Sequence, residues 1–207
     1  MLKQNNDNTT EQIILETAEK LFLEKGFALA STTEIARIAG CNQALVHYYF
    51  RTKERLFEAV FENNAERFVS LFFQNVQENV SFEEKIRKKI EMQYDFLKAN
   101  PKLPFLFFNE LNTNPHRLNL LKEKIGDLPK SYFIQLENEL RIEIEKGVIR
   151  PMTAIDLMLT ILSLNLVLFL STPVLKVLTG MTETEFHNLI ENRKRENITV
   201  ILKSLRP

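Results

Sequence analysis

The sequence has little of what builds a disulfide scaffold, a sheet or a cysteine-rich metal site. Its 207 residues include one cysteine, Cys41, no tryptophan and only five glycines. A single cysteine excludes an intrachain disulfide framework and suits a reducing compartment. Alternating apolar and polar segments and Asn-Gly hairpin signals are missing too, so strands have little support. Cys41 itself is interpreted as a buried structural thiol rather than a redox sensor.

The chain also lacks an excess of either charge. Lysine plus arginine equals aspartate plus glutamate at 27 each, so any site for nucleic acid must be a local one. The start, MLKQNNDNTT, lacks the apolar core of a secretory signal. The longest apolar stretch, Leu157 to Leu170, is shorter than the roughly 20 residues of a membrane span. We therefore expect a cytoplasmic protein with no membrane span, and a buried helix at this stretch.

What the sequence does contain is helical. A hydroxyl residue stands three positions before a glutamate, aspartate or glutamine at the start of five periodic segments, which is typical of helix N-termini. These patterns lie at Thr9–Gln12, Ser31–Glu34, Ser81–Glu84, Thr153–Asp156 and Thr182–Glu185. The fold class predicted from them is all-α. The predicted helices run from about Thr10 to Lys25, on either side of Gly40, from Glu54 to about Asn79, from Phe82 to Ala99, in one or two short pieces broken at Pro104 and Pro115, from Tyr132 to Lys146, from Thr153 to Leu170 and from Thr182 to Leu205.

One stretch has the pattern of a helix-turn-helix, TTEIARIAGCNQALVHYYFRTK. Such a motif needs a small residue where its helices cross and a glycine in the turn, and Ala36 and Gly40 supply them. Asn42 is a competent N-cap for the second helix. The residues predicted to face inward are Ile35, Ala39, Val46 and Tyr49, which leaves Gln43, Ala44, Leu45, His47 and Tyr48 near the outer face.

Residues from about 13 to 60 resemble the DNA-binding domain of TetR-family transcriptional regulators. The resemblance is carried by the aromatic run at residues 48–50, by Lys53 and by Leu56. It implies a three-helix helix-turn-helix DNA-binding domain over residues 1–53, with a disordered start over about residues 1–9. It also implies that residues 54–207 form a helical domain that binds an effector and dimerises.

The resemblance also implies roles for individual residues. Gln43 and Ala44 fall where base edges are read, and Thr33, Tyr48 and Lys53 fall where phosphates are held, which agrees with the chemistry of these side chains. His47 stands where the family more often has tyrosine, and it either tunes DNA affinity with pH or simply donates a hydrogen bond. Leu45 replaces a small hydroxyl residue. The complete predicted DNA-binding set is Thr33, Asn42, Gln43, Ala44, Leu45, His47, Tyr48 and Lys53.

Two phenylalanine-rich segments, YDFL and PFLFFNEL, suggest either a plain core or the wall of a ligand pocket. The resemblance implies an effector site, which aromatic residues would suit to an apolar or aromatic compound. Asn165 would be costly to bury without a partner, so it could orient a ligand or bond across a dimer seam. The predicted ligand-binding set is Phe68, Phe72, Tyr94, Phe107, Phe108, Phe133 and Asn165.

The function predicted from these features is a homodimeric transcriptional repressor that binds a palindromic operator and is released by a small effector. The dimer would form through the last two helices, with recognition helices roughly 34 to 36 Å apart. No catalytic motif, cofactor loop or metal-ligand set is found, so neither enzyme activity nor a cofactor is expected. The alternatives left open are a helical adaptor that binds a small molecule or protein without binding DNA, and an activator in place of a repressor.

Overall fold

The computed structural model describes residues 2–73 and 80–207, with side chains from residue 9 onward. This part of the chain is built of ten α-helices, as the all-α prediction requires. Their bounds are α1 Leu2–Leu29, α2 Thr32–Ile38, α3 Gln43–Phe50, α4 Lys53–Phe73, α5 Phe82–Ala99, α6 Leu103–Thr113, α7 Pro115–Ile125, α8 Leu128–Glu145, α9 Ala154–Thr179 and α10 Glu183–Leu205. The chain divides into two compact units, residues 1–67 and 68–207.

Four of the five predicted N-caps are confirmed. In each, a side-chain oxygen accepts a hydrogen bond from the backbone amide three residues later, at 3.1 to 3.3 Å. The four are Ser31, Ser81, Thr153 and Thr182. The fifth prediction, at Thr9, is wrong because α1 already begins at Leu2. A hydroxyl pattern inside a longer helix resembles a start, and only the bonds around it tell the two apart.

Prolines account for two further differences from the predicted boundaries. Pro104 lies in the first turn of α6 and does not break it, and Pro129 lies in the first turn of α8. A proline there removes an amide that has no partner in the helix anyway. Helix α8 consequently begins four residues before the predicted Tyr132. The predicted continuation of α4 to Asn79 lies outside the described residues.

Helix α9 is longer than predicted, because it continues past Leu170 through Pro173 to Thr179. An 18-residue window of it is apolar enough to cross a membrane by length and composition, and 39% of that window is buried. The expectation of a buried helix therefore holds for only part of α9. Its other side carries exposed apolar residues, Ile155, Leu159, Val167, Leu170, Val174, Val177 and Leu178.

In the first unit, α1 packs on the helix-turn-helix and on the start of α4. Ile14, Ile35 and Leu56 are fully buried, and the rings of Phe22 and Phe57 meet edge to face at 5.0 Å. Gly26, with φ 77°, interrupts the helical angles of α1, as predicted for the end of the first helix. This core fixes α2 and α3 on a rigid support.

In the second unit, α5, α8, α9 and α10 share one apolar core around Ile90, Leu140, Leu157 and Ile201, all fully buried. The buried amide of Asn165 is hydrogen-bonded within this core. Its Nδ2 donates to the carbonyl of Ile90, and its Oδ1 accepts from Asn197 Nδ2 at 3.1 Å. Asn165 thus links α9 to α5 and α10 and avoids the cost of an unpaired buried amide.

Candidate functional site

The turn between α2 and α3 has the geometry that its sequence predicts. Gly40 has φ 70°, a left-handed angle that glycine adopts without strain. The amide of Cys41 then donates to the carbonyl of Ala36 at 3.0 Å. Asn42 caps α3, with its Oδ1 accepting from the amide of Leu45 at 2.9 Å. The predicted crossing, turn and cap are confirmed.

Helix α3 has one buried side and one exposed side. Val46 and Phe50 are buried, whereas Tyr48 is 64% exposed. Most of the predicted DNA-binding residues are exposed, and Leu45 and Lys53 are half-buried. The exposed ones are Thr33, Asn42, Gln43, Ala44, His47 and Tyr48. The side chains that reach solvent from α3 therefore include donors and acceptors that packing does not use.

The side chain of Gln43 is held by its neighbours. Its Nε2 donates to Thr32 Oγ1 at 3.2 Å and lies 3.4 Å from His47 Nε2. His47 Nδ1 lies 2.9 Å from the carbonyl oxygen of Arg51. A carbonyl only accepts, so Nδ1 of the neutral ring carries the proton and Nε2 is left to accept from Gln43. Thr32 was not among the predicted site residues, and Arg51 was predicted only as a cation near the phosphates.

The turn after α3 is strained. Arg51 has φ 62° and ψ −55°, and it is the one residue other than glycine with a positive φ in the described part of the chain. The amide of Thr52 donates to the carbonyl of Phe50 at 2.6 Å, which closes a γ-turn of the rarer hand. This turn places the Arg51 side chain in solvent beside α3.

Lys53 is already engaged within its own unit. Its Nζ donates to the carbonyl of Ala28 at 3.3 Å and lies 4.4 Å from the centre of the Phe27 ring. An ammonium group has three N–H donors, so one bond to Ala28 leaves two for another acceptor. Cys41, by contrast, is half-buried and burial raises the pKa of its thiol, which disfavours the reactive thiolate.

In the second unit, four of the predicted ligand residues form one aromatic cluster. The Phe68 ring lies 4.5 Å from those of Phe72 and Phe107 and 6.2 Å from that of Phe108. Phe96 of α5, which was not among the predicted ligand residues, joins the cluster at 6.3 Å from Phe68. These rings bring together α4, α5 and α6.

The other three predicted ligand residues lie apart from that cluster. Tyr94 is fully buried, its hydroxyl donates to the carbonyl of Ile190 at 2.8 Å, and burial raises its pKa. Asn165 belongs to the network described above. Phe133 contacts Phe73 and Tyr132, and it also lines an open cleft of about 400 Å³ with α8 and α9 residues. The structure thus assigns the set to different places in the unit.

Two buried polar residues of α5 were not predicted from the sequence. Lys89 is 4% exposed and Gln93 is 3% exposed. A signal for them exists in the sequence, because residues 82, 86, 89, 93 and 96 recur at helical spacing and three of the five are apolar. Because the apolar residues of this stripe face the interior, the lysine and the glutamine between them are expected to be buried too. No group of three or more histidine, cysteine, aspartate or glutamate residues arranged to hold a metal ion occurs in the described parts of the chain.

Comparison with known proteins gives one family match. Residues 14–60 match the tetR family of bacterial regulatory proteins. The matched residues cover most of α1, the whole helix-turn-helix and the first turns of α4. They include every residue of the predicted DNA-binding set.

Two relatives and one solved structure extend the likeness beyond these helices. The chain is 25% identical over 138 residues to the fatty acid metabolism regulator protein of Bacillus subtilis, covering 66% of this chain and 69% of that protein. It is 25% identical over 141 residues to the nucleoid occlusion factor SlmA of Vibrio vulnificus, covering 68% and 69%. A transcriptional regulator from Saccharomonospora viridis in complex with choline matches with a TM-score of 0.69 at 18% identity, covering 96% of this chain and 98% of that one.

Proposed function

The chain belongs to the TetR family of DNA-binding transcriptional regulators, and from this premise we propose that it is a homodimeric repressor that a small effector releases from a palindromic operator. The observation that carries the proposal is the exposed side of α3, where Gln43, His47 and Tyr48 lie opposite buried Val46 and Phe50. Family membership sets aside the adaptor that does not bind DNA. The protein would act in the cytoplasm, where its operator is.

In this proposal α3 enters the major groove of DNA. Gln43 would pair with adenine and Ala44 would pack on a thymine methyl, which are contacts that their side chains favour. Thr33, Tyr48 and Lys53 would hold phosphates, and Asn42 would present the amides of the first turn. Leu45 and His47 complete the surface. Zero net charge is compatible with this because a few cations at the phosphates, led by Arg51 and Lys53, are sufficient.

The partner proposed for the exposed side of α9 is a second copy of the chain. Seven apolar residues of α9 are at least 38% exposed, and two of them, Val177 and Leu178, are more than 75% exposed. A stripe of this kind stays in water in a monomer, which is unfavourable. A two-fold axis beside α9 and α10 would cover it with the same stripe of the partner. Two copies on one operator would place two recognition helices one helical turn apart.

The effector would bind in the second unit, near the aromatic cluster around Phe68. Such rings suit an apolar or aromatic compound. The name of the B. subtilis relative refers to fatty acid metabolism, and the S. viridis protein binds choline. Both are consistent with a regulator whose second domain responds to a small molecule.

Release from DNA would follow from a difference in effector affinity between two arrangements of the dimer. Helix α4 carries Lys53 in its first turn and Phe68 and Phe72 near its other end, so it is the natural connection. A coupling of about 1 to 3 kcal/mol would weaken DNA binding about 5- to 150-fold.

The experiment that tests the proposal is selection of bound duplexes from a random library with the full-length protein. We expect a palindromic sequence whose affinity falls steeply as salt rises, because phosphate contacts release counterions. A reporter gene behind that sequence should be silenced by the protein. An enriched sequence without two-fold symmetry would contradict the dimeric reader, and a reporter that is switched on would contradict the repressor.

A further inference from the structure

The side chain of Gln43 is exposed at the proposed DNA surface, but both N–H donors of its amide are already used. A side-chain amide has two donors on its nitrogen and an oxygen that only accepts, and either end can face a base. The Gln43 nitrogen donates to Thr32 Oγ1 at 3.2 Å and lies 3.4 Å from His47 Nε2. The amide is therefore held from two sides within the first unit.

The backbone at the end of α3 decides which end of the amide faces His47. The carbonyl oxygen of Arg51 lies 2.9 Å from His47 Nδ1, and the amide of Arg51 donates to the carbonyl of His47 at 3.0 Å. Because a carbonyl oxygen only accepts, Nδ1 of the neutral ring carries the proton and Nε2 only accepts. If the Gln43 amide turned over, its oxygen would meet that acceptor and the hydrogen bond would be replaced by repulsion.

The oxygen of the Gln43 amide is the end left for DNA. In the part of the chain that the structure describes, Gln43 Oε1 accepts no hydrogen bond. In the major groove, adenine and cytosine each present an amino group, whereas guanine presents only acceptors and thymine an acceptor and a methyl group. An oxygen that cannot change places with the nitrogen distinguishes between these two pairs of bases.

We propose that His47 and Thr32 make Gln43 a reader of amino groups, so that the operator presents the amine of adenine or cytosine to Gln43 Oε1. The contact would be a single hydrogen bond from adenine N6 or cytosine N4. The second bond of a free glutamine, from its N–H to adenine N7, would not form. This inference rests on the proposed function, because it names the bases that the recognition helix selects.

The first step of the test finds the base pair that Gln43 contacts. Bound duplexes are selected from a random library with the full-length wild type and with Gln43→Ala, at about pH 8, above the range in which histidine ordinarily titrates. The contacted pair is the one at which only the wild type has a preference. In the wild type, exchanging adenine and cytosine on the same strand should change the affinity by at most about threefold, whereas reversing the pair should cost about tenfold per half-site.

Two adenine analogues then show which atom of the base is read. 7-Deazaadenine keeps the amine and lacks N7, whereas 2-aminopurine keeps N7 and carries its amine on the minor-groove edge, and both pair with thymine. In the wild type, 7-deazaadenine should bind within about twofold of adenine, and 2-aminopurine about tenfold more weakly per half-site. A tenfold loss with 7-deazaadenine would show that N7 is read, and it would overturn the inference.

His47→Phe tests the positioning of the amide. Without the ring acceptor the amide can turn over and offer a donor, so the penalty for the reversed pair should fall from about tenfold to at most about threefold. A variant that had merely lost a contact or some order would bind every sequence more weakly and keep the penalty, which would contradict the inference. His116→Phe, the same change at an exposed position of α7, is the matched control and should keep the penalty of the wild type.

Gln43→Glu supplies the rescue, because a carboxylate only accepts, whichever way it is turned. The double variant Gln43→Glu/His47→Phe should regain a penalty of about tenfold for the reversed pair, at a lower overall affinity caused by the charge near the phosphates. A double variant without that penalty would contradict the inference. If the wild type binds its operator but reads N7, the inference is wrong and the proposed function stands, whereas a library from which no sequence is enriched would contradict both.

Discussion

At the scale of single residues, Gln43 is positioned before any DNA arrives. Thr32 and His47 both contact its Nε2, and Arg51 fixes the tautomer of His47 through its carbonyl. These two contacts use both N–H donors of the amide, so in the proposed complex the ordered side chain would present its Oε1 to the base as an acceptor, at a smaller loss of conformational entropy. In the proposed complex His47 would act as a positioning residue for Gln43, a role that motif comparison does not give because it depends on the tautomer of the ring.

A double-mutant cycle, in which the affinity for the selected operator is measured, tests this role of His47. Gln43→Ala should weaken specific binding by about 1 to 3 kcal/mol and leave binding to random DNA nearly unchanged. His47→Phe should lose part of the same specificity, but it should have little further effect when Gln43 is already alanine. Mobility-shift titrations measure all four proteins. Additive losses would show that His47 does not act through Gln43.

Lys89 gives a prediction about pH and stability. Its pKa is about 8 in the fold, against about 10.4 in an unfolded chain, so the unfolded chain binds more protons between these values and stability rises with pH there. Below pH 8 the amine is charged in both states and the full cost of burial is present. Lys89→Met should therefore be more stable than the wild type by up to about 3 kcal/mol at pH 7.

Urea denaturation at pH 7, 8, 9 and 10 measures this difference. It should shrink as the pH rises from 8 to 10, because the wild-type amine then becomes neutral in the fold. Lys88→Met, on the exposed side of α5, should show no such trend. A difference between Lys89→Met and wild type that stays constant over this range would contradict the burial of a charged amine.

At the scale of elements, the turn after α3 stores strain at the proposed DNA surface. Arg51 holds a positive φ that glycine adopts at no steric cost. Arg51→Gly should be more stable than Arg51→Ala by about 1 kcal/mol, because only glycine relieves the turn. Both variants lose the same charge, so both should weaken DNA binding alike, with a shallower salt dependence. Equal stabilities in thermal unfolding would mean that the turn is not strained.

The exposed stripe of α9 gives the prediction for dimerisation. Val167→Glu introduces one charge per chain on that stripe, and the two-fold axis would bury both charges, so the dissociation constant of the dimer should rise at least about tenfold. Ile142→Glu makes the same change, from an apolar to a charged side chain, at an exposed position of α8, and it should leave the dimer intact. Sedimentation equilibrium measures the mass of each variant. A wild-type protein with the mass of one chain at micromolar concentration would contradict the dimer.

The sequence predicted best the elements whose ends are set by local bonds. Helices α5 and α10 begin at Ser81 and Thr182 caps, and their bounds match the prediction to within a residue. Helix α9 was predicted too short, although Gly180, which ends the helix in a left-handed conformation, is a local stop signal that the prediction did not use. A proline inside a helix usually ends it, yet α9 continues through Pro173 for six more residues, none of which is buried.

The DNA-binding site and the ligand-binding site also differ in how well local sequence predicts them. The predicted DNA-binding residues lie within 21 positions of one another in a local motif, so helical geometry alone predicted that most of them would be exposed. The ligand residues come from α4, α5, α6, α8 and α9, and only four of the seven share a cluster. Which aromatic residues meet depends on tertiary packing. Periodicity does not encode that packing.

At the scale of the whole molecule, the proposed regulator is a neutral chain that concentrates its DNA contacts at one surface and uses a second unit to control them. Neutrality means that long-range attraction to DNA is weak, so two copies acting together are needed for tight binding. The spacing of the two recognition helices then becomes the quantity that an effector changes. The affinity of such a regulator for its operator should therefore depend on the distance between the two half-sites.

The most direct test of the dimeric reader is the affinity of the full-length protein for two versions of the selected operator, one with five base pairs inserted between the half-sites. Five base pairs are about half a helical turn and move the second half-site to the opposite face of the duplex. We expect the insertion to reduce the affinity to about that of a single half-site, and a further insertion of five to restore part of it. Equal affinity for the original and the five-pair version would contradict a dimer that reads both half-sites at once.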